Sequence, residues 1–399
     1  VSRFISLWFF SCGLIALITT GIVPILVPLE VVQVEGSPKH VGIIMAAIGA
    51  GMMTSPVWAY LAHRFSCHKI LMVLASAGTG LSLVGFDASD DLGDWLGCGF
   101  LTGCCVAAGF TLANIIIVTR YPDEAKERIG WLQTLITAGT VAGLVVAGTL
   151  ERFPFHAGVW AGAVTATVAA ILAAISVPNL PPPPKIGEPG ARPPMEWTRP
   201  YLALLFLWFF SNSGAAGLTA LYPLIMRTEF NIPPDTSAYV MAGATAVSTF
   251  LFVFATRALR ALGKHKVMIL SLTGRMLAMF TLAVLSYQDF PGRDTVALTL
   301  FSIVGLLWPF LSVAATLLAA EVAVTKSRGL AYFDGSAALA HLVGPVVAGY
   351  LANVFGYESV LVLSAGTIAV GLLISPWLYP SRLLPKSLSG EFAIDAINE

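Results

Sequence analysis

The sequence predicts an all-α polytopic membrane protein: twelve transmembrane helices in two pseudo-symmetric six-helix halves, with both termini cytoplasmic. Three observations carry that expectation. Of 399 residues, 57% are apolar and 11% charged, with a mean hydropathy of +0.82. That leaves too little polar side chain to cover a water-soluble globule of this size. Twelve uncharged stretches of helical length follow one another, and at about 20 residues each they consume about 240 residues, leaving about 160 for loops and tails. Finally, a proline-rich segment divides the chain, and the parts on either side repeat each other.

The spans run approximately over 6–28, 41–62, 70–86, 95–118, 130–150 and 157–177, then 201–226, 238–256, 267–287, 295–320, 329–353 and 359–379. These runs are continuously apolar, as lipid-embedded helices require; a membrane barrel would show short segments of alternating polarity. The first run is about 23 residues long, has no small-residue cleavage site after it, and recurs about 200 residues later, so it reads as a span and not a signal sequence. Placing the N-terminus in the cytoplasm puts 17 of the 22 basic residues on that side. The loop from Asp87 to Asp94 on the other side carries four acids and no base. This bias orients the chain and calls for an even number of spans.

Between 178 and 200, nine of 23 residues are proline, which excludes a helix and reads as a semi-rigid linker. The expected organisation is therefore an N-terminal bundle over 1–177, a cytoplasmic linker over 178–200, a C-terminal bundle over 201–380 and a cytoplasmic tail over 381–399. The halves correspond in detail. LWFFS occurs at Leu7 to Ser11 and at Leu207 to Ser211, followed by Pro24 and Pro223; Ala59 to Leu71 aligns with Thr256 to Met268, and Gly143 to Gly148 with Gly344 to Gly349. Offsets of 197 to 201 residues at three places are the mark of a duplicated six-helix unit, the architecture of alternating-access carriers.

Composition also excludes partners. Twenty-two basic residues balance 22 acidic ones, so no basic surface for nucleic acid is expected. Cys12, Cys67, Cys98, Cys104 and Cys105 form no CxxC pair, and neither a metal site nor a disulfide framework follows from them. P-loop, HExxH and GxSxG motifs are missing, so an enzyme is not expected, nor a cofactor.

With these residues in view, the chain resembles the major facilitator superfamily over essentially its whole length. That family carries a loop of the form GxLaDRxGRRxxL between its second and third helices. Leu61, Ala62, Arg64 and Leu71 fit it, while His63 stands at the acidic position and both glycines are lost. The second copy keeps Gly263 and Lys264 but has Arg260 in place of the acid. The resemblance implies that His63, Arg64, Arg260 and Lys264 gate the interface between the halves, with Asp334 supplying the missing negative charge to Arg64 or His63. Two other signatures depart from the family. The arginine that many proton-coupled members carry in the fourth helix is replaced by Gly99, and the antiporter motif of the fifth helix reads GTVAGLVVAG, with Leu144 in place of proline. Small residues four apart also explain close helix packing, so the drug:H+ antiporter branch is a leaning only.

Ionisable groups inside the membrane are costly enough to mark function. Those within the spans are Arg275, Asp334 and His341, with Glu30 and Glu321 at span ends. Asp334 and His341 are seven residues apart and share a helix face, which suits either a proton path or a hydrogen-bonded histidine above an inner gate. Arg275 is expected to reach back toward the interface or pair with a neighbouring helix. The resemblance further implies a cavity lined by the first, fourth, seventh and tenth helices. Its polar residues include Ser11, Thr19, Thr20, Thr111, Asn114, Ser211, Asn212, Ser213, Tyr222, Ser302, Trp308 and Ser312, joined by Gln133 and Tyr239 from helices at its sides. None is ionised, which suits a small neutral or amphipathic organic solute better than an inorganic anion.

The expected function is thus secondary active transport by alternating access in a plasma membrane of the bacterial inner-membrane type. The protein is expected to act as a monomer in the lipid bilayer and to move a small molecule, with proton-coupled efflux as one form. A uniporter or uptake symporter, a lipid flippase, and a non-transporting receptor or assembly protein derived from a carrier remain as alternatives.

Overall fold

The computed structural model describes residues 5–178, 197–323 and 326–378; most of the expected linker and the whole tail at 381–399 lie outside the described residues. Among the described residues, twelve helices are long and apolar enough to cross a membrane. They are α1 (Trp8–Glu35), α2 (Pro38–Phe65), α3 (His68–Ala88), α4 (Leu92–Arg120), α5 (Glu127–Leu150), α6 (Phe155–Ser176), α7 (Arg199–Phe230), α8 (Pro234–Leu262), α9 (Lys264–Ser286), α10 (Arg293–Val322), α11 (Gly329–Phe355) and α12 (Glu358–Leu378). The ends of α2 at Phe65 and of α4 at Arg120 share one face of the bundle with the start of α7; this is the linker face, and the opposite one the distal face.

Several helix ends are fixed by local chemistry. Asp91 caps α4 by accepting the Gly93 amide at 2.8 Å, and Thr198 accepts the Tyr201 amide at the start of α7, filling donors that a helix start leaves open. Gly36 ends α1 at φ +68°, a left-handed conformation that favours glycine. The first helix therefore extends to Glu35, seven residues beyond its sequence-predicted end, since nothing in VPLEVVQVE stops it before that glycine.

Besides α12, whose last residues Ser375–Leu378 form a 3-10 turn, three helices are irregular within their length, each at a proline. In α1, residues Leu17–Ile22 form a π turn just before Pro24, which has no amide to give the preceding carbonyls. In α2 the helix breaks between Met52 and Ser55. Pro56 cannot donate to the Met52 carbonyl there, and the Ser55 hydroxyl does so at 3.1 Å. In α10 the break falls at Leu307, between Arg293–Leu306 and Trp308–Val322, as Trp308-Pro309 predicts.

The repeat seen in the sequence is a repeat of packing. A Cβ on Gly143 of α5 would collide with the Leu17 carbonyl of α1, and one on Gly344 of α11 with the Ser213 carbonyl of α7. The glycine motif of α5 therefore serves backbone-to-backbone contact within its half. Five residues further on, the partner changes. A Cβ on Gly148 would stand 2.9 Å from the Tyr239 ring of α8, and one on Gly349 would stand 2.8 Å from the Pro38 carbonyl of α2. The two halves thus meet along two equivalent seams, α5 with α8 and α11 with α2.

Candidate functional site

The seams close at one end only. Eighteen residues, or five helical turns, return a helix to the same face. Counting that distance from the seam toward the linker face leads from Gly148 to Gly130 on α5, from Asp235 to Val253 on α8 and from Gly349 to Ala331 on α11. The first member of each pair is at a seam contact; the second is exposed in every case. The halves are therefore in backbone contact near the distal face and diverge toward the linker face. The innermost glycine contact is at Gly49, whose Cβ would stand 2.5 Å from the His341 carbonyl.

Two polar bonds tie the distal ends. Arg152, just past α5, reaches Asp235 at the start of α8 at 2.6 Å, and the carboxylate holds that guanidinium above its usual titration range. Ser37, just before α2, donates to the Asn353 side-chain oxygen of α11 at 2.9 Å. Arg152 and Asn353 stand at the repeat offset of 201 residues, so the two seams are latched at equivalent points.

His341 and Asp334 are exposed on α11, but not toward lipid. The lipid-facing row of that helix is Tyr332, Leu339, Val346 and Tyr350, all apolar or aromatic and all exposed. His341 and Asp334 lie on the other side of the helix, between the faces that pack on α2 and α7, where exposure means contact with the cleft. His341 Nδ1 is 2.9 Å from the Ala337 carbonyl, which orients the ring along its own helix. Removing 201 residues from each number gives Gln133 and Thr140 on α5. Gln133 is exposed, and the Thr140 hydroxyl lies 2.6 Å from that of Thr20 in the π turn of α1. By the repeat offset Gln133 is thus the counterpart of Asp334, and Thr140, bonded to Thr20, the counterpart of His341. Sequence reasoning named Gln133, Thr20, Asp334 and His341 and did not name Thr140, which the repeat offset applied to His341 gives.

The other expected cavity residues divide. Asn114 and Trp308 are half-buried. Ser211, Asn212 and Tyr222 are not at the cleft surface but inside the C-terminal bundle, at 0%, 3% and 1% exposure. Asn212 donates to the Trp208 carbonyl at 2.8 Å. Tyr222 donates to the Ser237 carbonyl at 3.0 Å and stacks on Phe301 at 4.0 Å. The polar run after LWFFS faces neighbouring helices because Gly214 and Gly217 draw α7 against α12 and α11.

The expected inter-half gate is also not made. Lys264 bonds to Glu321 of α10 at 2.7 Å, within its own half. Arg64 lies over the ring of its neighbour Phe65, His63 and Arg260 are exposed, and none of the three pairs with Asp334 among the described residues. The physical reason is the divergence just described, which separates the linker-face ends of α2 and α11. Arg275, by contrast, is 5% exposed and lies over the Trp308 ring, its guanidinium carbon 5.6 Å from the ring centre.

The fold has known relatives. The family model of the Major Facilitator Superfamily matches residues 9–333 and 220–393. The fold is shared with the nucleoside transporter NupG in its D323A form (TM-score 0.78, 12% identity, 94% of this chain and 98% of that one). It is also shared with a D-xylose-proton symporter (0.72, 14%, 97% and 98%) and with a bacterial homologue of the iron transporter ferroportin in an inward-facing state (0.69, 13%, 93% and 96%). No curated protein matches the sequence significantly.

Proposed function

Because the chain belongs to the major facilitator superfamily, we propose that it is a secondary carrier that moves a small neutral or amphipathic organic solute across a plasma membrane of the bacterial inner-membrane type. It does so by rocking two six-helix halves about the cleft, with the linker and both termini in the cytoplasm. The observation that carries this reading is the one-sided cleft: sealed by backbone contact and two polar latches at the distal face, divergent at the linker face. The excess of basic residues at the linker face supports its being cytoplasmic, which makes the present state inward-open.

The cleft walls support the substrate class. Gln133, Thr140 and Thr20 offer uncharged donors and acceptors, and Trp308 an aromatic face, against one carboxylate and one imidazole. A nucleoside or a pentose has this polarity; an inorganic anion would need cationic donors that this surface lacks. His341 is the group suited to exchange a proton during the cycle, since imidazole titrates near neutral pH and here lies where the halves part.

The test is ligand-dependent thermal stabilisation of the purified protein over a panel of uncharged nucleosides, sugars and amphipathic amines, followed by flux of the hits in reconstituted vesicles. A carrier gains stability from the compound that fills its cleft and moves it. Binding without flux of any hit would favour the receptor reading, and no binding in the panel would remove the proposed solute class.

A further inference from the structure

Arg275 is the one strongly basic side chain among the described residues that is buried at mid-span. It stands eleven residues from Lys264 on α9, about 16 Å along the axis. Its Nε and Nη1 are buried with no hydrogen-bond partner, and its guanidinium covers Trp308. Trp308 stacks in turn on Trp208 at 5.8 Å, and Trp208 on Phe333 at 4.6 Å, so one side of the charge is a wall of aromatic rings.

A guanidinium does not lose its proton in proteins, and a buried charge without a partner is strongly unfavourable. Among the described residues no acid is placed to compensate it. On α10 the nearest carboxylates are Asp294 and Glu321, each about 20 Å along the helix from Trp308, and Glu321 is already paired with Lys264. The acids of α7, α8 and α12, which are Glu229, Asp235 and Glu358, lie at distal ends. Asp334 of α11 lies beyond the aromatic wall.

The same layer holds the break of α10. The first segment ends at Leu306 and the second runs fifteen residues from Trp308 to Val322, so the two meet head to tail at Leu307 and their opposed dipole ends offset each other. Gly274, next to Arg275, abuts the Leu307 side chain there, 2.8 Å from where a Cβ would stand. The cationic fork therefore lies against the break, and Trp308 is only half-buried, so the layer is not sealed.

We propose that Arg275 and the break of α10 form a site for one small monovalent anion, either a free halide or a free small carboxylate. Its occupant neutralises the guanidinium and holds the two segments of α10 in their present kink. The site is independent of the solute class proposed for the cleft.

The test uses the purified full-length protein in sodium bromide, sodium acetate or sodium gluconate at equal ionic strength, gluconate being too bulky for this layer. The wild type should melt higher in bromide or acetate than in gluconate by about 2 °C or more, and Arg275→Met should lose that difference. A gain in bromide identifies a free halide as sufficient; a gain in acetate alone identifies carboxylate recognition. Equal melting in all three salts, or an undiminished gain in Arg275→Met, would overturn the site. Should Arg275→Met not fold, wild-type crystals soaked in bromide and, separately, in bromoacetate decide by the anomalous signal of bromine: a peak beside Arg275 in either soak supports the proposal, and no peak there in both rejects it.

Discussion

Thr140 and His341 stand 201 residues apart in sequence and at equivalent positions of the duplicated unit on α5 and α11. One copy of the duplicated unit has kept a hydroxyl there, tied to Thr20 at 2.6 Å; the other has an imidazole on the cleft side of its helix. The asymmetry places a titratable group at one point of an otherwise uncharged layer. With His341→Gln, uptake or efflux driven by a pH gradient in vesicles should be lost, while exchange of labelled solute at equal pH persists. Full retention of pH-driven accumulation would remove His341 from coupling.

The Arg152–Asp235 pair concerns the balance between states instead of the chemistry of the cleft. Its carboxylate is largely covered while its guanidinium is open to water, so the pair is screened by salt and acts as a light latch. Asp235→Asn should shift the population severalfold toward the state open at the distal face. Hydrogen exchange would register this as faster exchange over 148–156 and 233–239, with slower exchange at the linker-face ends of α2 and α11. The charge swap Arg152→Asp with Asp235→Arg should restore the wild-type pattern, and an unaltered pattern in Asp235→Asn would show that the seams close without the pair.

The fold was legible in the sequence because lipid imposes one rule on every span: about 20 apolar residues with internally satisfied backbones. The duplicated LWFFS and the glycine motifs were legible because a backbone contact tolerates no side chain, which fixes residue identity at Gly143 and Gly344. The site was only partly legible. Ser211, Asn212 and Tyr222 look like cavity residues by type, but whether a polar side chain on a membrane helix faces water or a neighbour depends on helix rotation. Apolar surroundings on both sides leave no periodic signal of that rotation. The π turn of α1 and the break of α2 escaped for a related reason: prolines announce a disturbed ladder but not the form the repair takes.

The glycine contacts make a stability prediction with an internal control. Gly143→Ala drives a methyl group into the Leu17 carbonyl, a backbone atom that moves only with its helix, and should cost about 1–3 kcal/mol of stability as overpacking. Gly97 of α4 has nothing within 4 Å of a Cβ, so Gly97→Ala should be neutral or stabilising by about 0.5–1 kcal/mol through reduced backbone freedom in the unfolded state. Thermal unfolding in detergent measures both. Equal effects at the two sites would mean that the α1–α5 contact is looser than the structure has it.

Tyr222 and Gln133 separate structural from transport roles, because both were expected in the cavity and the structure places them differently. Tyr222→Phe removes one buried hydrogen bond to the Ser237 carbonyl while keeping the stack on Phe301. It should lower stability by about 1 kcal/mol and leave the KM for solute unchanged. Gln133→Ala removes an exposed amide on the cleft wall that makes no side-chain bond among the described residues. Stability should stay within about 0.5 kcal/mol, while KM rises severalfold because the lost partner is the solute's. If Tyr222→Phe instead raised KM with stability intact, the buried face of α7 would have to turn toward the cleft in another state of the cycle. The polar run from Ser211 to Ser213 would then regain its place in the solute site.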